Sequence, residues 1–308
     1  MAKTEWMKAA VRAGKKFHIQ HQKPWKHNTL NITLAILLWC LCVLCFFFAQ
    51  KISLLPLFFL SLFTGCLFFA HFILIIHEAS HNMFIVAKTP QKTKKINRIL
   101  GIMSSIPFFT EYVLHWEQGH LSHHLHPCEN DDPQNPNPLY GKSLYVELTR
   151  LWLIPFYFIK INPSSKYPKI LRRFILGLTF WSIFLYYVFS WQSLVMFFLA
   201  WNMVNSLNLL KIAQEHGGDL SKEQIPLLRS RTYFYCYPLQ LLCSPFCINY
   251  HFEHHANFNV PWYRLPEYHK EMLSIVPPKL HPYYFNREYL LQLQGKKGLP
   301  NRVFLTTY

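Results

Sequence analysis

Uncharged apolar runs alternate with polar, basic segments along the chain. Residues 30–49 carry no charged side chain, and 52–76 carry none apart from the ionisable His71. Two shorter uncharged runs follow at 174–190 and 193–210. A helix needs about 20 apolar residues to cross a bilayer, with a lower limit near 17. The four runs therefore predict four transmembrane helices in two hairpins. Three other apolar stretches are poorer candidates. Residues 99–113 are short and contain Pro107, 144–161 include Glu147, Arg150 and Pro155, and 232–250 are broken by Pro238 and Pro245. The expected fold is all-α: one multi-pass membrane domain over 1–308. Its helical cap comes from 77–173 and 211–308 and holds a histidine-rich di-metal site.

Charge gives the topology. Of 31 Lys and Arg residues, seven precede the first run (Lys3, Lys8, Arg12, Lys15, Lys16, Lys23 and Lys26), and Lys51 alone separates the first two. None lies between the last two runs. Basic residues mark the cytoplasmic side, so both termini, the middle segment and the cap are expected there. The first 28 residues lack a leader's apolar core, so residue 30 onward reads as the first span. A net charge of +16 fits attraction to anionic headgroups better than nucleic-acid binding, for which no module is recognisable. Of the eight cysteines, Cys40, Cys42, Cys45 and Cys66 lie within the apolar runs, and all read as reduced thiols.

Spacing among the 17 histidines points to chemistry. His77 and His81 form an HxxxH motif at the end of the second run. His120, His123 and His124 form HxxHH, as do His251, His254 and His255; His216 follows the fourth run directly. Residues three or four apart share one face of a helix, and the topology puts every motif on one side of the membrane. Imidazole suits iron, copper, zinc and nickel. So many imidazoles exceed the four ligands of a zinc ion and would serve two metals of higher coordination. Metal-bound imidazoles usually give their second N–H to a carboxylate or carbonyl, which makes Glu78, Asp131, Asp132, Glu215 and Glu253 candidate outer partners. Asp131 and Asp132 equally suit a helix cap or a turn at Pro133. His18, His21, His27, His71, His115, His126, His269 and His281 stand outside the motifs and read as amphipathic surface residues.

The three boxes, the Asp-Asp-Pro at 131–133, and the run from Val260 to Pro266 with His269 resemble the membrane fatty acid desaturase family over about residues 30–275. The resemblance implies that His77, His81, His120, His123, His124, His216, His251, His254 and His255 are iron ligands. It also implies two iron ions (Fe2+/Fe3+), dioxygen as co-substrate, and a desaturase acting on a fatty acyl chain or related lipid. No catalytic residue beyond the metal ligands is called for. No cytochrome b5-like or flavin domain is fused here, so electrons are expected from a separate ferredoxin or cytochrome b5-like donor. The short first box, HxxxH, argues mildly against the acyl-CoA branch, and Ile212, one turn before His216, offers no ligand atom.

Three other readings remain open, one of them a structural membrane protein with surface histidines. A hydroxylase or ketolase of a lipid or carotenoid would use the same ligands. A membrane metal transporter would hold its ligands near the bilayer midplane, whereas these histidines cluster at or beyond the ends of the apolar runs.

Overall fold

The computed structural model describes residues 5–19, 24–129, 132, 134, 142–154, 157, 170–187, 190–217, 220 and 223–286. Among these, the long elements are helices: α1 Glu5–Gly14, α2 Trp25–Ala49, α3 Leu54–Ser80, α4 Pro90–Ser105, α5 Gly119–Leu125, α6 Lys142–Leu153, α7 Ile170–Tyr187 and α8 Trp191–His216. The short helices α9 Leu239–Cys243, α10 His251–Ala256, α11 Leu265–Ile275 and α12 His281–Tyr284 follow. The all-α expectation holds apart from one two-residue parallel ladder, Thr232–Tyr233 beside Phe285–Asn286. There a β-branched and an aromatic residue suit an extended backbone.

Among the described residues, three helices are long and apolar enough to cross a membrane: α2, α3 and α8. At 1.5 Å per residue, the 25 residues of α2 reach about 37 Å, enough for the hydrocarbon core with some tilt. The central one is α3, with 78% of its apolar window buried, against 28% of α2 and 50% of α8. The outer face of α2 exposes Ile36, Leu37, Leu41, Leu44, Phe47 and Phe48, which suits a lipid surround. Residues 99–113 and 232–250 do not form spans; α4 ends at Ser105, and the second stretch holds a short strand and the five-residue α9. The apolar part of 144–161 lies on α6, which ends at Leu153; the residues beyond it, except Ile154 and Tyr157, lie outside the described ones.

Helix α8 lies directly on α3 because Gly65 lets it. A Cβ at Gly65 would stand 2.5 Å from Met203 Cβ and 2.7 Å from the Ala200 carbonyl. Helix α7 joins the bundle through aromatic edges. Trp181 packs on Phe46, Phe68 and Phe197, and its indole donates to the Pro107 carbonyl at 2.9 Å.

Among the described residues, two hydrophobic cores result. The larger runs through α2, α3, α7 and α8. The smaller joins Trp6, Met7 and Ala10 of α1 to Phe252 of α10 and Tyr268 and Met272 of α11. The basic N-terminal segment is therefore no loose tail where it is described: α1 is a strap under the third histidine box. Tyr268 Oη donates to the Ala10 carbonyl at 2.7 Å and Asn257 to the Val11 carbonyl at 3.1 Å.

Candidate metal centre

Each histidine box sits where a helix meets an irregular turn. Helix α3 passes through a π turn, Phe72–His77, just before its box closes. A second π turn, Tyr112–Gln118, runs into α5 and the second box. A π turn adds a residue to the helical repeat and re-aims the side chains beyond it. His216 is the last residue of α8, and α10 carries the third box.

The turn after the first box is pinned from three sides. Asn97 of α4 accepts from Ile85 N at 3.0 Å and donates to the Ile85 carbonyl at 2.6 Å. From α2, Asn31 donates to the Phe84 carbonyl at 2.9 Å and His27 Nε2 meets the Met83 carbonyl at 2.5 Å. Asn31 Oδ1 also accepts from Trp262 Nε1 at 3.1 Å, tying the segment after the third box to the same point.

These elements bring the imidazoles together as two groups. His77, His81, His120 and His254 form one quartet; His123, His216, His251 and His255 form the other, and within each the ligand atoms lie within 4.8 Å of one another. All eight side chains are buried. His124 lies between the quartets, its ring 4.2 Å from that of His255 and 4.7 Å from that of His120.

The donor set fits a cation. His216 Nδ1 donates to the Arg229 carbonyl at 2.8 Å and His123 Nδ1 to Asp132 Oδ2 at 2.9 Å. With those tautomers set by their acceptors, both Nε2 atoms carry bare lone pairs. Yet they face each other at 3.1 Å, and His251 Nε2 lies 2.9 Å from His216 Nε2. In the first quartet His120 Nδ1 is taken by Gln134 Oε1 at 2.8 Å, His254 Nε2 faces His81 Nε2 at 3.1 Å, and His77 Nε2 is buried without a hydrogen-bond partner among the described residues.

Converging lone pairs repel unless a proton or a metal stands between them. Protons are disfavoured here. Burial, reinforced by neighbouring imidazoles, holds His120, His124, His251, His254 and His255 well below the ordinary histidine value, and His81 at about 3. A divalent metal in each quartet satisfies the same geometry.

The acidic candidates divide. Asp132 caps the turn, accepting from Cys128 N and Gln134 N at 2.8 Å each, while it orients His123. Burial alone would push its carboxyl up, but the His123 ring and the two backbone donors more than offset this and leave it below the usual range. Glu78 Oε1 lies 3.3 Å from His77 Nδ1 and Glu215 Oε1 3.3 Å from His251 Nδ1. Glu253 takes His269 Nδ1 at 2.5 Å and Thr232 Oγ1. Asp131 lies outside the described residues.

The histidines outside the boxes need a correction. His27, His71 and His115 are 3%, 1% and 2% exposed, so they are core residues, not surface ones. His71 packs edge-on to Trp39 and parallel to Phe108. His21 lies outside the described residues. Two supports of the centre carried no pattern in the sequence: the Gln134 amide and the Arg229 carbonyl. A third is Phe258, stacked on His81 at 5.2 Å.

Comparison with known proteins agrees with this geometry. The fatty acid desaturase family profile matches residues 52–287. Among curated proteins, the sphingolipid delta(4)-desaturase DES1 of Drosophila melanogaster is 28% identical over 207 residues, 63% of this chain and 59% of that protein. DES1 of Rattus norvegicus is 30% identical over 203 residues, 63% and 58% of the two lengths. The sphingolipid delta(4)-desaturase/C4-monooxygenase DES2 of Mus musculus is 26% identical over 216 residues, 68% and 64%. The chain thus spans about three-fifths of the length of the DES1 relatives it matches.

Proposed function

The chain belongs to the fatty acid desaturase family, and from that premise we propose that it is a membrane di-iron oxidoreductase that uses dioxygen to introduce a double bond into a lipid chain. The observation that carries this reading is the pair of buried histidine quartets with facing lone pairs. The nine box and α8-end histidines are its ligands: His77, His81, His120 and His254 for one iron, His123, His216, His251 and His255 for the other, with His124 beside both. When bound, the iron pair supplies reductive activation of dioxygen and the power to break an aliphatic C–H bond.

The protein's own part is positional. Asp132, Gln134 and the Arg229 carbonyl fix ring tautomers and turn Nε2 toward the other imidazoles of the centre. Trp116, 5.4 Å from His120, and Phe72, 4.9 Å from Trp116, give the α3 side of the centre an aromatic wall. That wall excludes water and suits a hydrocarbon chain arriving from the bilayer. Selecting one C–H bond is a matter of holding that chain within reach, since small misplacements cost large factors in rate. The DES1 and DES2 relatives are sphingolipid enzymes by name, so a sphingolipid base is the first substrate to test. Electrons come from a separate ferredoxin or cytochrome b5-like protein.

We place four spans in two hairpins under a cytoplasmic cap, as one domain over 1–308. Support for the fourth span comes from direction. Helices α3 and α8 both end at the histidines, so the chain must return across the bilayer before Trp191. The 18 residues of α7 reach about 27 Å, close to the hydrocarbon thickness. At one end Phe174 packs on Phe109 and near the other Phe184 packs on Phe46.

A second reading has one specific support: a relative named as both desaturase and C4-monooxygenase. Expression in a host of defined lipid content, followed by mass spectrometry, separates the two. Desaturation removes two hydrogens from the product lipid and hydroxylation adds one oxygen. A lipid profile unchanged between the active chain and His254→Ala, with an electron donor present, would overturn both.

A further inference from the structure

Resting on the di-metal reading above, we propose that Lys211 is a positioning residue of the centre: it fixes the Glu215 carboxylate that orients His251, and so secures the metal of the His123–His216–His251–His255 quartet. Residues 193–210 of α8 carry no charge, and the next residue is a lysine. It is 9% exposed and lies in a membrane-spanning helix. A cation in such a place is expensive and marks function more often than chance.

The geometry names its partner. Lys211 Nζ donates to Glu215 Oε2 at 2.6 Å, one helical turn along. The other oxygen, Oε1, lies 3.3 Å from His251 Nδ1. Neither that oxygen nor that nitrogen has a hydrogen-bond partner among the described residues. Across the same ring, His251 Nε2 faces His216 Nε2 at 2.9 Å. Lysine, carboxylate and imidazole thus lead in series to one quartet.

A carboxylate's terminal torsion is soft, so Glu215 needs an anchor to keep Oε1 toward His251. Lys211 is that anchor, already held by the same helix. The Glu215 contact reaches His251, a member of one quartet. In the other, the imidazoles lean on the neutral Gln134 amide and on Glu78.

The test uses the full chain purified in detergent and loaded with iron, in four variants: Lys211→Met, Lys211→Arg, Glu215→Gln and the Met/Gln double. Iron per chain is measured after dialysis against a graded series of chelator concentrations. Lys211→Met is expected to lose the iron of one quartet with affinity lowered about 10- to 100-fold, the usual effect of removing an outer partner. Lys211→Arg, which keeps the charge and the donor, is expected to retain it. Glu215→Gln should match Lys211→Met, and the double should be no worse than either, because both break one series.

Retention of both irons at wild-type affinity by Lys211→Met, or additive losses in the double, would overturn the proposal. If Lys211→Met does not fold, Glu215→Gln decides by the same measurement, and retention of both irons refutes it. Wild-type protein that binds no iron overturns the di-metal reading itself, an outcome distinct from a wild-type chain whose iron ignores Lys211.

Discussion

His123 Nε2 lies 3.1 Å from His216 Nε2, although 93 residues separate them in the chain and each ring's other nitrogen is already donated, one to Asp132 and one to the Arg229 carbonyl. Two lone pairs so placed call for a cation between them. Asp132, Gln134 and the Arg229 carbonyl each hold one ring through Nδ1 and leave its Nε2 facing the other imidazoles.

Asp132 is the clearest lever on that arrangement. It orients His123 and closes the turn through two backbone donors. Asp132→Asn keeps the shape but turns a carboxylate into an amide. Iron affinity is expected to fall about 10- to 100-fold, with the loss confined to one quartet. Iron analysis against a chelator series checks this, and full retention of both ions would contradict it.

Acid should destabilise the iron-free protein. Burial holds the His81 imidazole at about 3, from an ordinary 6.5, and pushes His120, His124 and His254 down as well. The unfolded chain therefore binds more protons than the folded one below about pH 6.5, and stability falls as pH falls toward 3. Above that window these rings add no pH dependence. Melting temperatures between pH 8 and pH 5 should decline only in the lower part of the range. A melting temperature that rises on acidification would refute the assignment of neutral rings.

Gly65 controls the approach of α8 to α3. A valine there would press on the Ala200 carbonyl, which is backbone and cannot swing aside. Overpacking of this kind costs about 1–3 kcal/mol. Gly65→Val should therefore lower the melting temperature and weaken iron binding together, since α8 carries His216 and α3 carries His77. Unchanged melting would show that the two helices are not in close contact.

Asn31 offers a test of the supports behind the first box. It is fully buried and joins the Phe84 carbonyl to Trp262. Asn31→Ala leaves those two groups without it, at a cost of about 1–3 kcal/mol for each buried group left unpaired. A fall in thermal stability of detergent-solubilised protein is expected, and no fall would sink the tie between α2 and the third box.

Much of this was legible in the chain because lipid and metal each impose a strong pattern. Long uncharged runs marked α2, α3 and α8, and the HxxxH and HxxHH spacings marked the rings that converge. What escaped depended on contacts with no period. The two π turns have no composition of their own, and Gln134 and Arg229 serve through an amide and a carbonyl that any loop could offer. The uncharged run stops at 210, yet helix α8 continues to His216. Lys211 and Glu215 open a polar segment in sequence, and in the structure they pair across one turn of the same helix. Likewise α1 lies in the basic N-terminal segment, and its Trp6, Met7 and Ala10 pack with α10 and α11.

The most direct test is the metal content of the purified chain, read by elemental analysis with Mössbauer spectroscopy. Two iron ions per chain, one for each histidine quartet, magnetically coupled and lost on replacing His216 or His254, is the predicted result. A chain that purifies without iron, and takes up none when iron is supplied anaerobically, would contradict the account.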